Sequence, residues 1–184
     1  MIVLIVLLVV VLALLAWVMI SYNRLVRLRN ESAQGFSGID IQLKRRADLI
    51  PNLVESVKAY AAHEQGVFDE VTQARASTLS ATGVAAASDA AGRTSAALGR
   101  LFAVAEAYPQ LRASENFKRL QDELTDTEDK IAAARRYYNS VVQAFNTAQQ
   151  TFPASLIAGT LGFTPREYFR IEDDRERDPV AVSL

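Results

Sequence analysis

The sequence has no cysteine, and it has only one histidine and one tryptophan among its 184 residues. Without cysteine the chain forms no disulfide, has no thiol nucleophile and offers no thiolate ligand to a metal. It contains only 8 glycines and 5 prolines, and no stretch beyond residue 20 alternates as a strand would. The formal net charge of -1 provides no basic field for nucleic acid. Composition therefore predicts an all-α protein and gives no support for a nucleic-acid partner.

Apolar residues, in contrast, fill the start of the chain. Residues 1–20 read MIVLIVLLVVVLALLAWVMI, without charge or proline. Twenty helical residues span about 30 Å, which matches the hydrocarbon core of a bilayer. Trp17 and Tyr22 lie near one end, where aromatic rings favour the membrane interface. A cleaved signal peptide fits poorly, because a basic start and a small-residue cleavage site are both missing. We predict that residues 1–21 are a transmembrane anchor that contacts lipid.

Basic residues predict the orientation of this anchor. They all lie on its C-terminal side, at Arg24, Arg27, Arg29, Lys44, Arg45 and Arg46. By the positive-inside rule, the N-terminus is expected outside and the large domain in the cytoplasm.

Two long stretches after the anchor show helical spacing of apolar residues. One runs from Ile39 to Val71, interrupted by Glu64, and the other from Phe117 to Ala148, with Glu128 at an apolar step. Their near-heptad spacing predicts two long helices with buried seams. No strong stop separates the first stretch from the anchor, so we expect one long helix to run from the bilayer into the domain.

Breaks in these patterns are predicted at prolines and at a run of small residues. Pro51 is expected to kink the first helix, or to break it with Asp48 capping a restart. Residues 77–97 are rich in alanine and serine and are interpreted as the connection between helices, with Ser88 or Asp89 as the next N-cap.

A shorter helix and the last long helix complete the predicted elements. The shorter one uses Leu98 to Tyr108, and Ser114 is the expected N-cap of the long one, which Pro153 ends. Residues 157–169 are predicted as a loop or short helical turn.

These elements predict an antiparallel three- or four-helix up-and-down bundle. The expected division is a transmembrane anchor at 1–21, a helical bundle domain at 22–170 and a charged, flexible tail at 171–184.

Sequence motifs predict no catalytic, cofactor-binding or metal-binding residues. His63 begins a His-Glu pair, but the HExxH zinc motif needs a second histidine where Val67 stands. Lys44, Arg45 and Arg46 are interpreted as a solvated face with salt bridges to Asp40 and Asp48 on the same helix. Six polar residues on or beside the seams are expected to set helix register rather than to do chemistry: Asn52, Glu55, Asn116, Glu128, Arg135 and Asn139.

Four blocks of sequence together resemble the LemA family of bacterial membrane proteins. They are YNRLVRLRN (22–30), a block at 39–64, a block at 108–146, and GFTPREYF (162–169). One departure is Gly35-Phe36, where the family usually has a tryptophan. The resemblance implies an N-terminal transmembrane helix, an outside N-terminus and a four-helix up-and-down bundle in the bacterial cell (inner) membrane. It carries over no catalytic residues. Relatives occur in magnetosome-membrane systems or alongside membrane peptidases.

Three functional hypotheses follow. The first is a non-enzymatic, membrane-anchored scaffold that self-associates as a homo-oligomer or organises a membrane-protein partner. The second is an accessory regulator of a membrane peptidase or quality-control enzyme, contacted through the tail. The third, and least favoured, is a ligand- or metal-binding bundle using Glu55 and Glu128, which lacks the Glu-x-x-His pairs of such bundles.

Overall fold

The computed structural model describes residues 1–170, which form six α-helices and no strand. The predicted all-α class is confirmed, with a long apolar N-terminal helix and a bundle of packed helices. The predicted tail at 171–184 lies outside the described residues. The helices are α1 (Ile2–Lys58), α2 (Gln65–Ser80), α3 (Val84–Glu106), α4 (Pro109–Arg112), α5 (Glu115–Gln150) and α6 (Ser155–Ala158).

The chain divides into two compact units, and α1 and α5 contribute to both. The anchor unit comprises residues 1–37 and 134–168. The bundle unit comprises residues 38–133 and, within the described part, 169–170. The domain borders expected at residues 21 and 170 stay predictions.

In the anchor unit, the apolar start of α1 has no protein cover. One window of this helix is long and apolar enough to cross a membrane, and none of it is buried. Further along, α1 packs against the end of α5. A Cβ at Gly35 would stand 3.3 Å from the Cα of Tyr138, so the close approach of the two helices favours glycine there. The buried cluster of this unit is Leu25, Leu28, Phe145, Ala148, Ala158 and Phe163.

In the bundle unit, four long helical segments enclose one apolar core. They are the end of α1, all of α2 and α3, and the start of α5, with α4 as a single turn. Both heptad seams supply core residues, as expected from their spacing. The core comprises Ile50, Leu53, Val54, Val57, Ala61, Phe68, Val71, Ala74, Ala97, Leu98, Leu101, Ala105, Leu111, Phe117, Leu120 and Leu124.

The first seam extends over two helices, not one. The helix that begins in the anchor ends at Lys58, and α2 starts at Gln65. Expecting the helix to continue to Val71 was therefore wrong. Ala61 is buried inside the connecting turn, so the turn keeps the apolar spacing while it changes the chain direction. Glu64, the charged interruption in the seam, lies at the end of this turn.

The alanine-rich segment 77–97 contains the connection between α2 and α3, but most of it is helical, so the predicted connection is too long. Only residues 81–83 join α2 to α3, and Gly83 has a φ of 82° at the N-terminus of α3. Ser88 and Asp89 lie inside α3 and cap nothing. Small residues alone do not predict a loop, because alanine has the highest helix propensity of all residues.

Pro51 lies within α1, which runs without interruption from Ile2 to Lys58. The predicted break is wrong, and the predicted kink stays a prediction. Proline has no N–H to donate to the carbonyl four residues earlier, so the carbonyl oxygen of Ala47 loses its helical partner. Arg75 of α2 replaces it, because its Nε donates to that oxygen at 2.9 Å. A side chain from a neighbouring helix thus satisfies the group that proline leaves unpaired.

Candidate functional site

A buried arginine lies at the centre of the polar residues in the bundle unit. Arg46 is 0% exposed. Its Nη1 donates to Oε1 of Glu128 at 2.6 Å and to Oγ of Ser95 at 3.0 Å. Its Nη2 donates to the carbonyl oxygen of Ala91 at 3.1 Å. One guanidinium therefore joins α1, α3 and α5.

The contacts of this network bear on two predictions. Glu128 is predicted to set helix register, and its bond to Arg46 is one that a shift of α1 against α5 would break; the register role itself stays a prediction. Arg46 was expected on a solvated face, which is wrong. Its neighbours behave as predicted in part: Lys44 pairs with Asp40 at 2.7 Å, whereas Arg45 approaches Asp126 on α5 at 3.9 Å. Spacing alone could not show that the third basic residue in a row points inward.

Two polar atoms of this region have no hydrogen-bond partner within the described protein. They are Nε of Arg46 and Oε1 of Gln42, one helical turn earlier. The first is a donor and the second an acceptor. Burying such groups without partners is unfavourable, so this part of α1 is a costly arrangement that the surrounding contacts must hold in place.

Around the C-terminal part of α1, an open polar cleft of about 310 Å³ brings together residues that the sequence analysis had singled out. Its lining includes Asn52 and Glu55 from α1 and Asn116 from α5, with Ser56, Arg119 and Leu120. Nη2 of Arg119 donates to Oδ1 of Asn116 at 3.0 Å, and Oγ of Ser56 donates to the carbonyl oxygen of Asn52 at 2.8 Å. The cleft presents hydrogen-bond donors and acceptors together with one acidic and one basic side chain, Glu55 and Arg119. Because it is open, it suits contact with another surface better than enclosure of a small ligand.

Glu55 and Glu128, the two carboxylates of the metal hypothesis, are not brought together. Glu55 lines the cleft with Arg119, whereas Glu128 lies nine residues further along α5, or about 14 Å. Glu128 is instead bound to Arg46. Within residues 1–170, no cluster of three or more His, Asp or Glu side chains has the arrangement of a metal site. For His63, with Glu64 beside it, the sequence favours a position on a helix surface. That expectation is wrong, because His63 is exposed in the turn between α1 and α2.

Beside the buried ion pair, Asp126 joins an exposed pair. Its carboxylate accepts a hydrogen bond from Nζ of Lys130 at 2.7 Å. This bond, followed by the charges of Lys130 and Arg45, lowers the pKa of Asp126, while desolvation acts in the opposite direction. The carboxylate is thus anionic at neutral pH.

In the anchor unit, polar side chains of α5 hold the segment that returns after α6. Asn146 makes a two-way contact with Arg166: its Nδ2 donates to the carbonyl oxygen at 2.9 Å, and its Oδ1 accepts from the backbone N–H at 2.8 Å. Oη of Tyr138 donates to the carbonyl oxygen of Glu167 at 2.8 Å. Burial raises the pKa of Tyr138; the charge of Arg166 opposes this shift and that of Glu167 adds to it. Residue spacing does not predict this clamp, although residues 162–169 are one of the four blocks that resemble the LemA family.

Arg135 and Asn139, the last two predicted register residues, each interact with a neighbour. In both units, polar side chains thus tie helices and segments together, through Arg46 in one and Tyr138 and Asn146 in the other. With an uncovered apolar helix at one end, this chain is a membrane-associated helical bundle protein.

Comparison with known proteins narrows this class. The sequence profile of the LemA family matches residues 35–184. The chain is 27% identical to the magnetosome protein MamQ 1 of Paramagnetospirillum magneticum, over 87% of this chain and 68% of the relative. It is also 27% identical to MamQ of Magnetospirillum gryphiswaldense, over 86% and 69%. Identity to the protein LemA of Metamycoplasma hominis is 30%, over 76% and 64%. The chain belongs to the LemA family.

Proposed function

We propose that this protein is a non-enzymatic scaffold that self-associates, or holds partner proteins, at the inner membrane of a bacterium. The observation that carries the proposal is the continuity of α1 from Ile2 to Lys58. The helix that enters the lipid also forms one wall of the bundle core. A separate flexible tether would suit an enzyme domain that moves freely. A helix shared by the anchor and the bundle suits a scaffold, which has to be held at one place on the membrane.

The outer face of α3 is the surface that we propose for neighbouring copies. Small side chains are exposed along it, interspersed with the charged Asp89, Arg93 and Arg100, at Ala85, Ala86, Ala96, Gly99 and Ala103. Small residues let two helices approach closely and pack backbone against backbone. The relatives named magnetosome proteins support an organising role, because their name attaches them to the magnetosome and not to a reaction.

The mass of the purified full chain in detergent tests the scaffold proposal. We expect a small multiple of the monomer mass. Because the chain has no cysteine, Ala96→Cys introduces a single thiol on α3, and we expect it to crosslink two copies. Gln121→Cys, exposed on α5, is the matched control and should remain uncrosslinked. A strict monomer that retains no membrane partner would contradict the proposal.

For orientation, we propose an outside N-terminus and a cytoplasmic bundle, supported by the basic residues that follow the anchor. A thiol-reactive, membrane-impermeant label tests it in intact cells. We expect Gln121→Cys to stay unlabelled until the cells are opened. Labelling of intact cells would place the bundle outside.

A further inference from the structure

We propose that residues 151–163 are a second membrane contact, a loop that dips into the lipid interface beside the anchor helix. This segment, here called the interface loop, reads TFPASLIAGTLGF and contains no charged residue. It connects α5 to the returning segment and includes the single turn of α6. The inference rests on the membrane anchoring of α1 and does not require self-association.

The interface loop presents large apolar side chains outward. Phe152 is 76% exposed, Leu156 69% and Leu161 42%. Its other face packs inward, where Ala158 and Phe163 belong to the buried cluster of the anchor unit. Because three large apolar side chains are exposed on its outer face, the loop suits apolar surroundings there.

The helix register places this surface at the level where the apolar part of α1 ends. Gly35 lies against Tyr138, and the cluster joins earlier residues of α1 to later residues of α5, so the two helices run antiparallel. Gln150 is twelve residues after Tyr138 and Asn23 twelve before Gly35, which puts these two at the same level. Asn23 lies three residues, or about 4.5 Å, beyond Ile20. The interface loop therefore begins within the headgroup layer, which is roughly 5–8 Å thick on each side.

Contacts of Phe163 hold the end of the interface loop against α1, between Tyr22 and Arg29. Its ring packs edge-on against Tyr22 at 5.8 Å between centroids, and the guanidinium of Arg29 lies 5.6 Å from its centre. Tyr22 is half-exposed beside the apolar helix, the position that aromatic rings favour at an interface. Arg24 and Arg27, both exposed on α1, suit lipid phosphates.

This combination identifies lipid as the occupant of the exposed surface. A protein partner would also cover apolar side chains, but no feature of the loop calls for one, whereas the anchor necessarily brings lipid to its level. Two contacts with the same bilayer would restrict rotation of the anchor unit about the axis of α1, which a single helix cannot do.

Spin labels on the full chain in vesicles of phosphatidylcholine and phosphatidylglycerol test the proposal. Because the chain has no cysteine, Phe152→Cys and Leu156→Cys each carry one label and leave the other apolar side chain in place. Met19→Cys reports on the anchor, and Gln143→Cys, exposed on α5, is the water-facing control. The measurement compares access of apolar oxygen with access of a polar nickel complex.

We expect labels at 152 and 156 to favour oxygen over nickel severalfold relative to the label at 143, and to approach the label at 19. Nickel access equal to that at 143 would overturn the interface loop and leave the anchor standing. Low access of both reagents would mean that protein covers the loop, and would also overturn the proposal. A water-exposed label at 19 would overturn the membrane anchoring and the loop together.

Discussion

In the two units of this protein, α1 and α5 are connected by different kinds of side-chain contact. In the bundle unit, a fully buried guanidinium at Arg46 reaches Glu128. In the anchor unit, aromatic rings join the two helices: Phe36 of α1 lies 6.0 Å from Tyr138 of α5. Phe163, which follows α6, contacts Tyr22 of α1 at 5.8 Å and Phe145 of α5 at 6.2 Å. Apolar contacts tolerate small shifts, whereas a buried ion pair has one good geometry. At the contact between α1 and α5, the bundle unit therefore adds a charge-assisted bond to its apolar core, whereas the contacts in the anchor unit are aromatic and aliphatic.

Phe163→Ala is expected to have the largest effect, because it removes a buried ring at the centre of the anchor unit. Truncation of a buried phenylalanine costs about 3–5 kcal/mol. Phe152→Ala is the matched control: its ring is exposed, so the free energy of unfolding in detergent should hardly change. Hydrogen exchange should show lost protection in residues 144–169 for the first variant. Equal behaviour of the two variants would contradict the buried role of Phe163.

Glu128→Ala removes the ion pair between α1 and α5 in the bundle unit. It leaves Arg46 buried without its carboxylate, and breaking a buried pair costs about 3–5 kcal/mol. The side chain of Glu128 is 42% exposed, so solvent screens the pair and we expect about 2–3 kcal/mol. Lys130→Ala, which breaks the exposed pair with Asp126, should leave the free energy of unfolding nearly unchanged. Chemical denaturation measures both.

Combining Glu128→Ala with Arg46→Met sharpens this prediction. Removing the cation as well as the anion leaves an apolar side chain in an apolar site, so the double variant should be more stable than Glu128→Ala alone. If register is what the pair provides, crosslinks between α1 and α5 should become less specific in the double variant. A double variant that is less stable than both singles would show that Arg46 stabilises through its contacts with Ser95 and Ala91.

The sequence predicts the helices of the two units better than it predicts the contacts between them. The apolar anchor and both heptad seams follow from hydropathy and spacing, and the positions of Pro51 and Glu128 mark where something other than apolar packing must occur. The partners do not follow, because Arg75 and Arg46 are linked to their acceptors across 28 and 82 residues. Spacing within one helix carries no information about which residue of another helix will face it.

Loops and turns were the weaker part of the sequence prediction, for a related reason. Residues 59–64 contain neither proline nor glycine, so the sequence gives no local signal for the end of α1. In the polar cleft, Asn52 and Asn116 could be selected as polar neighbours of the seams, but only the folded chain shows that they line one surface.

Arg75→Met is expected to cost about 1–2 kcal/mol, because it leaves the carbonyl of Ala47 buried and unpaired. The effect should depend on Pro51. Pro51→Ala restores a backbone N–H four residues after Ala47, so the same Arg75→Met change should cost much less in that background. Arg100→Met, which removes the exposed pair with Glu70, is the control and should show no such coupling. A double-mutant cycle by denaturation measures the coupling, and additive effects would sink this explanation of how α1 accommodates proline.

Tyr138→Phe, in the anchor unit, is expected to have the smallest effect on the free energy of unfolding. Losing the hydrogen bond to the carbonyl of Glu167 should cost about 0.5–1.5 kcal/mol at neutral pH.

The pKa of Tyr138 is raised from 10.0, chiefly by burial. Its neutral form is therefore favoured by folding. The stabilisation is complete below pH 10 and is lost as pH rises through the folded pKa, because the unfolded state then releases its proton first. The gap in stability between wild type and Tyr138→Phe should narrow above pH 10. Tyr137→Phe, exposed on the same helix, serves as the control; if it reproduced the narrowing, the buried hydroxyl of Tyr138 would not be its source.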